Sequence, residues 1–268
     1  MPPQTFGRSN ITFAEFQLPI KAHIKMNKTK ILISVVTYPM PSRSYDELIC
    51  TAGFLENGEW VRVYPIPMKF LTGLRQDGKI SSFKYTWVEL ELKKRSDDFR
   101  PESYSPVHYD FSDIVIHDKI DTKNNWSNRK EICVKNAYTN IAKLIEDSKS
   151  PKNTSLATFK PAEIIGFDVQ EEKNREWKDE WKNLRKQMDL FEPNKNPEIP
   201  IKKLPYKFFY NFIDDKGKES RLMIEDWEIG QLYWNCLNAA NGDEKLALQK
   251  VREKYETKFL KENDLYFF

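Results

Sequence analysis

A chain of 268 residues with 31% charged, 40% apolar and 13% aromatic side chains has material for one large or two small domains with packed cores. No apolar stretch reaches the roughly 18–20 residues that span a bilayer, and no apolar segment follows Met1 as a secretion signal requires, so a cytoplasmic location and no membrane partner are expected. A net charge of +3 does not by itself announce a nucleic acid, and Cys50, Cys133 and Cys236 lack metal spacing and read as reduced, buried thiols.

Residues 1–28 bear prolines without periodicity and read as an N-terminal extension. From Lys30 to Thr37 the β-branched run Ile31-Leu32-Ile33-Ser34-Val35-Val36 predicts a strand, ended by Tyr38-Pro39-Met40-Pro41. A helix-to-strand segment follows over Tyr45–Leu55, then a tight turn at Asn57-Gly58 and an alternating strand over Glu59–Pro65. Alternation returns over Tyr85–Lys93, and the short run Ile114–Asp118 closes a small barrel, giving a first domain of residues 29–125. Within a connecting segment, residues 126–150, an amphipathic helix is predicted over Trp126–Asp147.

The remainder, residues 151–268, reads as a second β-rich domain. Its strands cover Glu163–Glu171, Lys207–Ile213 and Ser220–Glu225, with a turn over Asp214–Gly217. A helix is inserted over residues 174–191. Two more helices are predicted over Trp227–Asn238 and Glu244–Phe259, and Asp226 is the expected N-cap of the first. The apolar end Leu265-Tyr266-Phe267-Phe268 calls for a sheet to pair with.

The expected fold class is therefore α+β, with two small OB-like β-barrels and intervening and C-terminal helices. The runs Gly58-Glu59-Trp60-Val61-Arg62-Val63-Tyr64-Pro65 and Phe99-Arg100-Pro101-Glu102-Ser103-Tyr104 are similar to the layout of bacterial dual-OB-domain proteins. The resemblance covers residues 30 to about 230; the inserted helix and the helices after Trp227 depart from it. What it implies is single-stranded nucleic acid lying across a sheet face.

Composition bears on that expectation. Between Trp60 and Arg100 stand nine basic residues against five acidic ones, interleaved with seven rings. Cations for phosphates and faces for bases are what a single-strand surface needs, and Arg62, Lys84, Tyr85, Trp87 and Arg100 are the expected contacts. The competing reading is that alternate positions bury the rings and solvate the charges.

Gln187-Met188-Asp189-Leu190-Phe191 resembles the motif by which bacterial replication and repair proteins dock on the DNA sliding clamp. That resemblance implies a polar rim contact for Gln187 and a hydrophobic pocket for Met188, Leu190 and Phe191. The same residues also continue a helical stripe from Trp177, Trp181 and Leu184, which would pack on the body of the protein or on a partner. Recruitment to a clamp or another protein through this helix is the expectation carried forward, and packing on the body of the protein is the alternative.

Catalytic signals are sparse. His23, His108 and His117 are not set beside a nucleophile, and no phosphate-cradling glycine motif is present. The best enzymatic alternative is a divalent-metal nuclease in which Asp77 and Glu91 hold Mg²⁺ and Lys93 steadies a water. No cofactor is expected otherwise. Asp77 is equally at home in a Gln76-Asp77-Gly78 turn. The reading carried forward is a nucleic-acid-binding accessory protein, with the nuclease and a pure protein-interaction module as alternatives.

Overall fold

The computed structural model describes residues 28–41, 47–67, 83–179 and 201–268. Among them the chain is a mixed α+β protein with two sheets. The first holds β1 (Thr29–Val36), β2 (Met40–Pro41), β3 (Glu47–Phe54), β4 (Trp60–Pro67), β5 (Thr86–Leu90), β6 (Leu92–Lys94), β7 (Ser103–Pro106) and β8 (Val115–Lys119). Seven of them run in the order β6-β7-β4-β3-β1-β5-β8 and curl into a half-barrel, while β2 pairs the end of β3. Every pairing is antiparallel except β4 with β7.

The sequence of β1 explains why this sheet is covered on both sides. Ile31 to Val36 is almost continuously apolar, the pattern of a strand with no solvent face. Ile31 and Ile33 pack inside the half-barrel with Val61, Val63, Val88 and Leu90. Leu32 packs outside it, with Phe54 and Cys133. Gly53 stands opposite Ile33, and a Cβ there would lie 2.1 Å from the Leu32 carbonyl oxygen, so the strands meet this closely only over a glycine.

The outer cover is α1 (Lys123–Cys133). Its Asn124, Asn125 and Trp126 have left-handed φ of 49°, 55° and 59°, so the right-handed helix starts after Trp126. A second helix, α2 (Ile141–Asp147), is N-capped by Asn140, whose side chain accepts the Lys143 N–H at 2.9 Å. The predicted continuous helix over Trp126–Asp147 is thus two short ones. Between them Tyr138 leaves helical geometry to bridge Phe159, and the Asn140 cap restarts the helix.

The second sheet has β9 (Glu163–Glu171), β10 (Tyr206–Ile213) and β11 (Glu219–Ile224) in the antiparallel order β11-β10-β9. One face carries Phe167, Phe208 and Tyr210 onto α3 (Trp227–Ala239) and α4 (Glu244–Arg252), which answer with Ile229, Tyr233, Ala247 and Val251. Beyond α4 come a π-helical turn, Glu253–Lys258, and a last helical turn, Phe259–Glu262. Asp226 caps α3 as predicted, accepting the Ile229 N–H at 2.9 Å. Where the sequence suggests a second barrel, the described residues form three strands with helices on one face. Alternation in β10 marks one buried side but not whether strands or helices cover it.

The two sheets are joined along a seam. Beyond β1, Thr37 bridges Asp226 and the Tyr38 N–H donates to the Glu225 carbonyl at 2.8 Å. The Tyr38 ring stacks on Trp227, its hydroxyl donates to the Lys202 carbonyl at 2.7 Å, and that hydroxyl accepts the Trp234 indole N–H at 2.9 Å. Gly230 admits the ring, because a Cβ would come within 2.3 Å of it. At the far end Phe267 bridges Phe159, and Phe268 meets Trp60 and Phe54 edge-on, which gives the apolar end its partners. No helix among the described residues is long and apolar enough to cross a membrane.

Candidate nucleic-acid interface

The structure does not gather Arg62, Lys84, Tyr85, Trp87 and Arg100 on one open face. Lys84 belongs to the seam, where its ammonium pairs with Glu228 at 2.6 Å and Asp226 at 3.7 Å while its side chain is 20% exposed. Burial lowers its pKa, but the two carboxylates outweigh that and hold it above the ordinary value. Tyr85 takes a left-handed φ of 64° and lies under the Arg129 guanidinium at 3.9 Å from the ring centre. Its phenol is pushed up by burial. Trp87 packs with Leu32, Phe54 and Cys133, and the Lys30 ammonium sits 5.0 Å from its ring. The reason for this placement is α1. A helix some forty residues downstream lies over the outer face of β5, so these rings are a packed joint and not a stacking platform.

Arg62 and Arg100 share a different place. Arg62 stands on the outer face of β4, in register with Ser103 of β7, and its N–H donates to the Glu102 carbonyl at 2.8 Å. Its Nη2 donates to Ser155 Oγ at 3.0 Å, and Ser155 N–H donates to Glu102 Oε1 at 3.1 Å. Arg62 Nε is buried with no acceptor among the described residues. Burial lowers the Arg62 pKa and the neighbouring Arg100 charge lowers it further. Two guanidiniums thus share one place with the Glu102 and Asp98 carboxylates, which act against the lowering, and the Arg62 guanidinium keeps one enclosed donor without an acceptor.

Between them runs the β6–β7 connection at the outer edge of the sheet. Asp98 organises it. Its Oδ1 accepts the Arg100 N–H at 3.2 Å and Arg100 Nε at 2.8 Å, and its Oδ2 accepts Arg100 Nη2 and Ser103 Oγ, each at 2.6 Å. Those hydrogen bonds hold the carboxylate well below its usual pKa. Lys94 Nζ ties the Arg100 and Pro101 carbonyls, and the Ser103 N–H donates to the Arg100 carbonyl. The loop is pinned on all sides, yet Phe99 within it is 80% exposed. Each successive cation of β6 and its exit lies over a ring: Lys93 over Tyr109 at 5.4 Å, Lys94 over Tyr104 at 5.0 Å and Arg95 over Tyr64 at 5.2 Å. Phe99, Tyr104 and Tyr109 escape a reading that looks for alternation within strands. Asp98-Phe99-Arg100-Pro101, a single ring within a charged, proline-ended turn, is the signal that marks Phe99, and no such signal marks the two tyrosines.

The enzymatic candidates are placed separately. Asp77 lies outside the described residues. Glu91 falls between β5 and β6, with its carboxylate 3.6 Å from His108 and its N–H donating to Asp113 Oδ2 at 2.6 Å, while Lys93 lies over Tyr109. Among the described residues no group of three His, Cys, Asp or Glu is arranged to hold a metal. Of the partner-binding candidates, Trp181, Gln187, Met188, Leu190 and Phe191 lie outside the described residues. Trp177 is half-buried, its indole N–H donating to the Ile201 carbonyl at 2.8 Å. Arg175 reaches Glu244 of α4 at 2.7 Å, and Lys203 bonds the Asn174 carbonyl. Trp177 therefore ties together the two chain segments on either side of residues 180–200.

Comparison with known families gives two matches. A family model described as a domain of unknown function, DUF8758, matches residues 27–135, and a second described the same way, DUF8757, matches residues 137–268. Their boundary falls in the short segment between α1 and α2. No curated protein and no solved structure matches the chain.

Proposed function

We propose that this protein is a nucleic-acid-binding accessory factor that takes the backbone phosphates of a single strand at the β6–β7 edge of the first sheet. The observation that carries the reading is the Arg62–Arg100 pair, two guanidiniums brought together by the β4–β7 pairing at the edge of the sheet. An OB-like reading of the half-barrel supports the same ligand class, and with α1 over the outer face the edge is the part of the sheet a strand would use. The Asp97 and Asp98 carboxylates already paired with Arg95 and Arg100 moderate the local charge. The Arg95–Asp97 pair is exposed on its carboxylate side and worth little, whereas the Asp98 side chain is largely buried and stays on Arg100, so a phosphate would meet Arg100 with Asp98 still bound.

The test is fluorescence anisotropy with labelled single-stranded and duplex DNA and RNA over a salt series. Binding to the single strand should weaken steeply with salt. Arg62→Ala and Arg100→Ala should each weaken it across all sequences and lower the salt slope by about one. An absence of binding at low salt defeats the reading. Cleavage of the strand on adding Mg²⁺, lost in Glu91→Ala, would replace it with the nuclease.

One observation favours recruitment as well. Trp177, Arg175 and Lys203 fix the chain on both sides of residues 180–200, so Gln187-Met188-Asp189-Leu190-Phe191 would be offered from an anchored base. Retention of the protein on immobilised bacterial sliding clamp, abolished by Phe191→Ala, is the expected result.

A further inference from the structure

An exposed phenylalanine is ordinarily unremarkable, but Phe99 differs in what surrounds it. Burial of a phenylalanine side chain stabilises a fold, and this ring, 80% exposed, forgoes nearly all of that gain. Its loop is not loose: Asp98, Arg100, Ser103 and Lys94 fix the backbone on both sides of it. A ring held in place before binding gives up little conformational freedom when it is covered. Its sequence neighbours Asp97, Asp98 and Arg100 are charged, so it stands as a single ring and not as part of a contiguous apolar patch of the kind that docks proteins. An exposed apolar face on the residue next to Arg100 suits an unpaired base whose phosphate is held by a guanidinium.

We infer that Phe99 stacks on one unpaired nucleobase of the bound strand and that this contact makes the protein prefer single strands to duplex. The inference rests on the proposed phosphate site at Arg62 and Arg100. Those residues hold the backbone, and Phe99 selects for a base that is free to leave its stack. In a duplex both faces of each base are occupied, so the phosphate contacts remain while the ring contact is lost.

The experiment uses the full-length protein, wild type and with Phe99→Ala or Phe99→Tyr, against three probes. They are a single-stranded oligonucleotide containing 2-aminopurine, the same strand with its bases replaced by abasic sites, and the duplex. Wild type should quench 2-aminopurine fluorescence. Phe99→Ala should abolish the quench and weaken binding to the single strand by between about fivefold and a hundredfold, the range of one base–ring stack. Phe99→Tyr should stay within about twofold of wild type, and neither variant should change binding to the abasic strand or the duplex. An unchanged unfolding midpoint shows that the loss is not one of folding. Binding of the single strand by Phe99→Ala as tightly as by wild type overturns the inference while leaving the phosphate site standing. An equal loss on all three probes does the same. If wild type binds none of the probes, both the inference and the phosphate site fail.

Discussion

The β5 region and the β6–β7 edge are built from the same materials and put to opposite uses. In the first, Lys84, Tyr85 and Trp87 meet Glu228, Arg129 and Lys30, and α1 and the start of α3 close over them. In the second, Lys93, Lys94, Arg95 and Arg100 stand among Tyr64, Tyr104, Tyr109 and Phe99, and nothing described covers Phe99. Cation and ring together identify a kind of contact, not whether the contact is spent inside the protein or left for a ligand. What decides is the element that arrives from elsewhere in the chain.

Breaking the joint should cost stability and leave the edge intact. The largest effect is expected from Gly230→Ala, which drives a Cβ to 2.3 Å from a Tyr38 ring already fixed by two hydrogen bonds. The loss should be about 3 kcal/mol or more, read as a shifted denaturant midpoint. Next comes Lys84→Ala, which strands Asp226 and Glu228 at the start of α3. About 2 kcal/mol is expected, less than the ~3–5 of a fully enclosed pair because the Glu228 side chain is 44% exposed.

Asp98→Asn tests the scaffold of the edge, with a smaller cost of about 1–2 kcal/mol at neutral pH from weakened bonds to a charged acceptor. Its pH dependence has a definite sign. The folded pKa of Asp98 lies below the unfolded value of about 3.9, so its stabilisation is complete above that pH and is lost as pH falls through the folded value. The gap between variant and wild type should therefore narrow on acidification below pH 4, and a constant gap in acid melts would refute the assignment. Smallest of all, Phe99→Ala should move the unfolding free energy by no more than ~0.5 kcal/mol, since little of the ring is buried. A larger change would mean that Phe99 serves the fold.

Local chemistry was legible where it was self-contained. The Asp226 cap, the Asn57-Gly58 turn and the two-sided burial of β1 follow from residues adjacent in sequence. The alternation expected over Tyr85–Lys93 is present in β5, where Trp87 and Glu89 fall on the less buried side, yet it carries no information on α1, which covers the ring and spares Glu89 for His117. Strand β7 is four residues long, ends in proline and pairs in parallel with β4, so neither length nor alternation announces it. Without β7 the neighbourhood of Arg62 and Arg100 stays hidden, because the two are brought close only through that pairing.

The seam also sets a timetable. Tyr38 and the Trp234 indole that donates to it are 196 residues apart. At roughly 5–20 residues per second, a ribosome leaves Tyr38 waiting on the order of 10–40 s for that partner. Trp60 waits longer still, for Phe268. During synthesis the first sheet thus emerges with Tyr38, Lys84 and Trp60 uncovered, a window in which a chaperone or a neighbouring nascent chain finds the surface that α3 and Phe268 later claim.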